Sequence, residues 1–256
     1  MNGNELLDKM ELIDPAYVEA AEGRPAKKRR VWRKWGAAAA CLCILAGAMA
    51  LLVHFSRTQV DPQLEELTLS AQSTARVFYG YEAETAATAK ADLQYLTEEE
   101  LFAQENMYAF RGRVSGLRNI TIDFGGVEEV RCIATFAVEE VYQGDITAGG
   151  QITLLLPCAI DPAGLWVEDT GVISRLESGM EGIFMARRYS DTSRWEQNGA
   201  TLMLRDVAEC GLMDGMRWVF LDTAQGLLFE RNAYPGAKNA ETLDDIAAYV
   251  TEMLNK

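Results

Sequence analysis

An uncharged apolar run over residues 36–55 constrains this chain more than any other feature. It reads GAAAACLCILAGAMALLVHF, and only His54, close to its end, is able to take a positive charge. At a helical rise of about 1.5 Å per residue, twenty residues reach roughly 30 Å, the thickness of the hydrocarbon core of a bilayer. The sequence therefore predicts one transmembrane helix over residues 36–55.

The residues just before this run predict its orientation. Residues 27–35 read KKRRVWRKW, a basic cluster that contains two tryptophans. Positive charge beside a span is retained on the cytoplasmic side, and tryptophan suits the membrane interface. We therefore expect a single-pass protein of the cell membrane, with the N-terminus in the cytoplasm and the C-terminus outside. Membrane lipid is the partner expected for both the run and the basic cluster.

Three other interpretations of this region compete with the membrane span. A cleaved secretory signal would use the A-x-A-like site at Ala46-Gly47-Ala48, but its 35-residue leader is long and the apolar run continues past the site. A buried helix of a soluble protein would seldom have an uncharged run longer than about 18 residues. The basic cluster taken alone resembles a nucleic-acid patch, but its position explains it better as a topology signal.

The overall charge argues against a nucleic-acid partner. The chain has 24 Lys and Arg against 38 Asp and Glu, a formal net charge of −14. Residues 1–35 hold eight of the basic and six of the acidic side chains, so the acidic excess belongs to the rest of the chain. Affinity for phosphate backbones requires clustered Lys and Arg, and we therefore predict that no nucleic acid is bound.

Residues 1–35 form a cytoplasmic segment that is too short for a core of its own, so we expect it to act by docking. Asn4 is placed to cap a first short helix, and Asp14 with Pro15 to begin a second. Apolar residues at helical spacing give this segment one stripe, made of Leu6, Leu7, Met10, Ile13, Tyr17 and Val18. We predict that the stripe binds a cytoplasmic protein, a sigma factor or another regulator. A helix lying on the membrane surface, or partial disorder, is the alternative.

The same residues carry a resemblance to a known class of proteins. Three consecutive parts carry it: the run from Glu5 through IDPAYVEAA at residues 13–21, the basic cluster, and WRKWGAAAACL over residues 32–42. Together they resemble the N-terminal part of bacterial single-pass membrane proteins related to anti-sigma factors. The resemblance implies a membrane-bound regulator with a sigma factor as its partner. It departs from the zinc-containing anti-sigma class, because no His or Cys lies between Met1 and Trp35 to hold a metal.

The remainder divides into a predicted stalk, residues 56–92, and a predicted external domain, residues 93–256. The stalk is rich in Ser, Thr, Gln and Ala, with a short strand-like patch at residues 77–81. Thr97 with Glu100, and Thr242 with Asp245, have the spacing of capping boxes and predict a helix near each end of the domain.

Between these helices the apolar pattern alternates, which predicts strands. The predicted strands are 110–114, 120–124, 132–142, 151–156, 182–189, 200–205, 217–221 and 226–231. Short strands at this spacing are typical of a small closed or partly closed barrel. The predicted fold class is therefore a mainly β external domain, a small barrel with flanking helices, joined to one transmembrane α-helix.

A second resemblance concerns the external domain. The pattern F-x-G-x-V over 110–114, F-x-V-x-x-V-Y-x-G-D over 136–145, Pro157-Cys158, and SGMxGIF over 178–184 resembles the netrin-like branch of OB-fold barrels. It spans residues 107–190 and implies an OB-like barrel that binds proteins or polysaccharides, or inhibits enzymes. The inhibitory N-terminal cysteine motif of that family is absent, since the nearest upstream cysteines are Cys41 and Cys43, inside the predicted span.

The chemistry of the external part predicts no enzyme. The one histidine of the chain is His54, at the membrane edge, so a Ser–His–Asp or Cys–His unit and histidine zinc sites are not available in the external domain. We therefore predict no catalytic, metal-ligating or cofactor-binding residues and no cofactor. A hydrolase using carboxylates would require two facing carboxylates about 5–10 Å apart in a cleft.

Three cysteines and three tryptophans of the external domain leave alternatives open. Cys132, Cys158 and Cys210 cannot all pair within one chain, so a bridge such as Cys132–Cys158 and three buried free thiols are both consistent with the sequence. Trp166, Trp195 and Trp218 are expected in the core or at its rim, and not as a platform for sugars.

Two functions follow from this organisation. The first is a membrane-anchored regulator or sensor, with an anti-sigma-like docking segment inside and a domain outside that binds an unknown ligand or partner. The second is a membrane-anchored extracytoplasmic binding module with no signalling role, in which residues 1–35 only set the topology.

Overall fold

Ten strands and two α-helices make up the part of the chain that the computed structural model describes, residues 65–81, 95–160 and 169–256. The prediction of a mainly β domain with few helices is confirmed. The docking residues Leu6 to Val18 and the predicted span 36–55 lie outside the described residues. Within the described ranges, no helix is both long and apolar enough to cross a membrane.

The elements follow one another in this order along the chain. They are β1 (Arg76–Tyr79), α1 (Glu98–Phe102), β2 (Met107–Asp123), β3 (Glu128–Gln143), β4 (Gln151–Leu156), β5 (Glu181–Arg188), β6 (Arg194–Gln197), β7 (Ala200–Met203), β8 (Cys210–Gly211), β9 (Val219–Thr223), β10 (Gly226–Leu228) and α2 (Leu243–Leu254).

Five of these strands close into a ring of hydrogen-bonded neighbours. β2 pairs with β3, β3 with β4, β4 with β8, β8 with β5, and β5 again with β2. Every pairing is antiparallel except that of β4 with β8, which is parallel. The rings of Phe110, Phe136 and Phe184 meet inside, with centroids 4.3–6.0 Å apart. These three side chains come from β2, β3 and β5, and together they fill the space that the closed ring of strands encloses.

The longest strand, β2, joins two segments that the sequence predicted as separate strands, 110–114 and 120–124, so the predicted break is wrong. The pairing with β3 shifts register between Val114 and Gly116 and then continues. The strand therefore runs on through the polar residues that separate the two predicted segments. The first half of β2 therefore belongs to the ring, and its far end extends beyond it.

A second, smaller core lies where β2 and β3 extend beyond the ring. Ile120, Ile122 and Phe124 are fully buried there, together with Val77 of β1 and Leu202 of β7. β1 pairs with β2 from Arg76↔Asp123 to Tyr79↔Ile120. Residues 65–81, which the sequence placed in a stalk, thus contribute a strand to the folded unit Gln63–Lys256, because burial of Val77 and Phe78 favours packing over a solvated spacer.

Both predicted capping boxes are confirmed. Thr97 accepts a hydrogen bond from the amide of Glu100, and Thr242 from that of Asp245, with the carboxylate returning to the cap in each case. α2 buries Leu243, Ile246, Val250 and Met253 against the main core. The two helices meet through Tyr249, whose ring packs on Phe102 and whose hydroxyl donates to Glu98.

Replacing Thr242 by alanine is expected to lower the unfolding free energy by about 1 kcal/mol, since α2 would lose the acceptor for its first free amides. Hydrogen bonds from the amides of Glu241 and Thr242 and from the Thr242 hydroxyl lower the pKa of Asp245. The part of this stability that comes from the Asp245 carboxylate is therefore present at neutral pH and is lost as the pH falls through that lowered pKa. Urea denaturation at pH 7 measures the change.

The matched control is Thr251→Ala, an exposed position inside α2 whose hydroxyl donates to Ala247 O. Its unfolding free energy should stay within about 0.5 kcal/mol of the unmodified chain, because alanine is the better helix former there. A larger loss at Thr251 than at Thr242 would contradict the capping assignment.

The chain leaves β4 at Pro157 and is then held by a side chain of β2. Asn119 donates from Nδ2 to Ile160 O at 2.8 Å and accepts from Ile160 N at 2.9 Å. This paired contact imitates one rung of a sheet. The next polar residue of β2, Thr121, donates from its hydroxyl to Gly80 O at 2.9 Å. Both side chains are thereby committed to holding neighbouring backbone in place.

Candidate ligand-binding groove

A groove of about 350 Å³ opens between the ring and the hairpin β6–β7. We name it the Trp195 groove. Its lining residues are Arg131, Leu155, Leu156, Pro157, Tyr189, Arg194, Trp195, Glu196, Leu204 and Leu212. Its volume lies at the lower end of the range for small-molecule sites, and a few polar groups set among apolar ones are typical of such sites.

The hairpin that forms one wall turns at Asn198-Gly199. Gln197 and Ala200 face each other on either side of this two-residue turn, and both turn residues have positive φ, 48° and 78°. Asn-Gly is the pair that such hairpin turns favour. Asn198 Nδ2 donates to Phe124 O at 3.0 Å and to Gly125 O at 2.9 Å, which ties the tip of the hairpin to the β2–β3 turn.

The other side of the hairpin is tied to residues 70–75. The amides of Thr74 and Ala75 donate to Thr201 O at 2.8 and 3.0 Å, and the Met203 amide donates to Ser73 Oγ at 2.8 Å. Asp206, just after β7, accepts from the hydroxyl of Ser73 at 2.6 Å. The wall that carries Trp195 is therefore held from two directions.

Trp195 is the aromatic centre of the groove. Its ring lies 4.9 Å from the Phe124 ring, and the Arg131 guanidinium lies over it at 4.9 Å from its centroid. Arg131 Nη2 is 3.1 Å from Glu129 Oε2, and Gln197 Nε2 donates to Glu129 Oε1 at 3.2 Å. A cation over a tryptophan face is attractive, more so when water is excluded.

The charged side chains of the groove lie beside apolar walls, and each is paired with a side chain of opposite charge. The Arg131 side chain is 19% exposed, and its burial lowers its pKa while the nearby Glu129 carboxylate opposes that shift. At the mouth, Arg194 Nε lies 2.7 Å from Glu196 Oε1. Each arginine is thus matched by one carboxylate. A ligand with both apolar surface and hydrogen-bonding groups fits this balance better than one with a large net charge.

Tyr189 closes one end of the groove by packing on Gly211 of β8. A Cβ on Gly211 would overlap the Tyr189 hydroxyl oxygen, so this close approach requires glycine. Burial raises the pKa of the Tyr189 hydroxyl above its ordinary value. The position of this ring, and with it the shape of the groove, depends on the absence of a side chain at residue 211.

Gly211→Ala is expected to push the Tyr189 ring toward solvent. The unfolding free energy should fall by about 1–3 kcal/mol from overpacking, and the pKa of Tyr189 should fall toward its ordinary value as burial is lost. Absorbance titration at 295 nm, as a difference between variant and unmodified chain, measures the tyrosine shift. Gly171→Ala is the control, because a Cβ at Gly171 meets nothing within 4 Å. An unchanged titration in Gly211→Ala would contradict this packing.

A second cavity, of about 570 Å³, lies along the β9–β10 hairpin. Arg175, Glu177, Met180 and residues 223–228 line it. Among these lining residues there is no aromatic ring. The Trp195 groove is therefore the better candidate, because a half-buried tryptophan and a largely buried arginine mark it.

The residues predicted from sequence are distributed as follows. Leu6, Leu7, Met10, Ile13, Tyr17 and Val18 lie outside the described residues, as does Trp166. Trp218 is buried in the main core, and Trp195 lines the groove. Cys132, Cys158 and Cys210 are buried free thiols. Within the described ranges, no three His, Cys, Asp or Glu side chains are grouped to hold a metal ion.

Most lining residues of the groove were not singled out from the sequence. Leu155 of β4 and Arg131 of β3 precede Trp195 by 40 and 64 residues, so no local spacing predicts that they line one groove. The Asn198-Gly199 pair was the available signal for the hairpin. The chain matches no protein-family model, and no curated protein matches it either.

Proposed function

We propose that this chain is a membrane-anchored regulator or sensor whose outer β domain binds a ligand or partner in the Trp195 groove. Residues 36–55 cross the membrane, and the stripe from Leu6 to Val18 docks on a cytoplasmic regulator such as a sigma factor. The observation that carries the binding role is the groove itself, with its tryptophan under a largely buried arginine. The proposal contains no catalytic step, no metal and no cofactor.

We further infer that the ring is a barrel of the OB type. In support, the ring takes its five strands in the order first, second, third, fifth, fourth along the chain, with the third and fifth, β4 and β8, parallel. OB-type barrels hold ligands on their second and third strands and in the connection between the fourth and fifth. Here Arg131 and Leu155 come from β3 and β4, and Trp195 from the connection between β5 and β8.

The test of the regulatory role compares transcription in cells that carry the full chain and its variants. Trp195→Ala, which removes the ring from the groove, and the pair Leu6→Ala with Leu7→Ala, which shortens the docking stripe, are both expected to change expression of the same set of genes at least about tenfold, a free-energy change of about 1.4 kcal/mol. The control is Tyr95→Ala, because Tyr95 is an aromatic side chain that is 87% exposed.

Fractionation and protease treatment of whole cells accompany this comparison. The intact chain should sediment with membranes, and external protease should remove the β domain. If the Trp195 and Leu6/Leu7 variants reach the surface in normal amounts and leave transcription unchanged, the regulatory role is overturned.

The alternative, an anchored binding module without signalling, is favoured by the same groove and requires nothing of residues 1–35 beyond topology. Deleting residues 2–22 separates the two functions. Unchanged transcription with intact surface display supports the module, and altered transcription supports the regulator.

A further inference from the structure

The three buried thiols of the β domain are not equivalent in their positions on the ring. Cys132 on β3 faces Leu156, the last residue of β4, and Cys158 lies two residues beyond the end of that strand. Cys210 on β8 faces Leu154. All three side chains belong to the main core. Their order along β4 decides which of them can meet.

The strand register excludes two of the three pairings. Cys210 lies beside Leu154, so that Leu156, the last residue of β4, is already roughly 8 Å from it. Cys158 lies farther from Cys210, because the chain then turns away from β8 toward Asn119 of β2. Cys132 and Cys210 lie on strands separated by β4, roughly 10 Å apart. Both exceed the limit of about 7 Å between Cα atoms that a disulfide accepts without backbone movement.

Cys132 and Cys158 are the remaining pair. Cys132 is paired with Leu156, and Cys158 is the second residue after it. The chain bends at Pro157 and Cys158 and crosses β3 from the β4 side to the β2 side, because Asn119 of β2, which is paired with Cys132, holds the backbone of Ile160. Cys158 therefore lies on the path between the two strand neighbours of Cys132, Leu156 and Asn119. Regular strand pairing has ended at this bend, so the disulfide requires backbone adjustment only where no ladder hydrogen bond is broken.

The two thiols also differ in how readily they ionise. Burial raises the pKa of Cys132 to about 12, and the nearby Cys158 adds to that shift. Burial raises the pKa of Cys158 as well, but the Thr170 hydroxyl and the Arg131 charge oppose it. Cys158 is therefore the better first nucleophile of the pair.

We propose that Cys132 and Cys158 form a redox modification site that closes to an intramolecular disulfide, while Cys210 stays a free thiol. The oxidant is a small-molecule or protein disulfide. The Cys158 thiolate attacks it and releases one thiolate; the Cys132 thiolate then attacks the Cys158 sulfur and releases the second. The S–S bond forms as the oxidant's S–S bond breaks, and the two protons of the cysteines pass to the two leaving thiolates.

This bond would fasten the floor of the Trp195 groove. Arg131 precedes Cys132 and Pro157 precedes Cys158, and both residues line the groove. Closing the loop from residue 132 to residue 158 restricts the unfolded chain, and the melting temperature should rise by roughly 5–10 °C. The disulfide does not depend on the proposed function, because it concerns Cys132 and Cys158 and not the ligand.

The test uses the full chain carrying Cys41→Ser and Cys43→Ser, refolded in a buffer of oxidised and reduced glutathione. Free thiols are blocked with a maleimide, the chain is digested without reduction, and the peptides are identified by mass spectrometry. We expect one linked species that joins the Cys132 and Cys158 peptides, and a blocked Cys210 peptide. Three blocked cysteines after refolding in oxidised glutathione, or a link to Cys210, would overturn the proposal.

Melting temperatures of variants give an independent measurement. The rise on oxidation should persist in Cys210→Ser and disappear in Cys132→Ser and Cys158→Ser. A rise that persists in both of the latter would also overturn the proposal. If a serine variant does not fold, peptide mapping of the chain with all three external cysteines decides the result alone.

Discussion

Gly144→Ala is expected to lower the unfolding free energy by about 2–5 kcal/mol, as positive-φ strain and overpacking add. Gly144 follows β3 with φ 107°, a region that L side chains rarely adopt. A Cβ there would also overlap the Tyr108 ring, whose Cε1 and Cγ would lie 2.8 Å away. The ring cannot retreat easily, because its hydroxyl bonds Asp145 and Arg188 lies over its face. Equilibrium denaturation in urea measures the loss.

Gly149→Ala in the same connection is the matched control. Gly149 has φ 84°, but a Cβ there meets nothing within 4 Å. Its substitution should therefore lower the unfolding free energy only by the strain of a positive φ, about 1 kcal/mol. Equal losses at the two positions would show that contact with Tyr108 contributes nothing.

Asp214→Ala is the second change with a large expected effect, a loss of about 3–5 kcal/mol in unfolding free energy. Asp214 is 5% exposed and accepts from the amides of Met216 and Arg217 at 2.9 and 2.7 Å. It also accepts from Arg217 Nε at 2.8 Å and from Trp218 Nε1 at 2.9 Å. Removing the carboxylate leaves this group of buried donors without its common acceptor.

Two further variants make this test specific. Asp214→Asn keeps one oxygen for the two amides and should lose about half as much as Asp214→Ala. Asp191→Ala removes an exposed carboxylate that pairs with Arg205, and should change stability by less than about 0.5 kcal/mol. The prediction fails if Asp214→Ala is no more destabilising than Asp191→Ala in the same urea titration.

The helix ends were the most predictable part of the fold, because their determinants are local. Thr97 and Glu100, like Thr242 and Asp245, are three residues apart, and each pair satisfies both partners within one turn. The strand boundaries depended on tertiary contacts. β2 runs through Ser115 to Asn119 because β3 supplies partners from Gly116 onward, past the irregularity at Ser115, and no property of that polar stretch itself predicts this pairing.

The pattern of phenylalanines and glycines over residues 110–114, 136–145 and 178–184 is explained by packing. The aromatic side chains of Phe110, Phe136 and Phe184 contact one another inside the closed set of five strands. Gly112 and Gly182 lie where a Cβ would come within 2.8 Å of Ala137 O and 2.7 Å of Phe220 O. These residues determine how strands cross and pack, so the pattern carries information about architecture and little about ligands.

Neither the Trp195 groove nor the burial of the Asp214 carboxylate could be predicted from the neighbouring sequence. Arg131 and Trp195 are 64 residues apart, and nothing in the sequence around either one indicates that they stack. Asp214 is one of many acidic residues, which are exposed by default. Its burial follows from Arg217 and Trp218, whose donors converge on it only in the folded chain.

The two hydrogen bonds between the Asn119 side chain and the Ile160 backbone have a practical consequence for producing this protein. Asn119-Ile120-Thr121 is an acceptor sequence for N-linked sugar, yet its amide nitrogen and its threonine hydroxyl are both engaged in backbone contacts. A glycan attached before folding would remove the amide from its place and leave the end of β4 unanchored. Secretion from a eukaryotic host should therefore yield less native material than expression in a host that lacks this glycosylation.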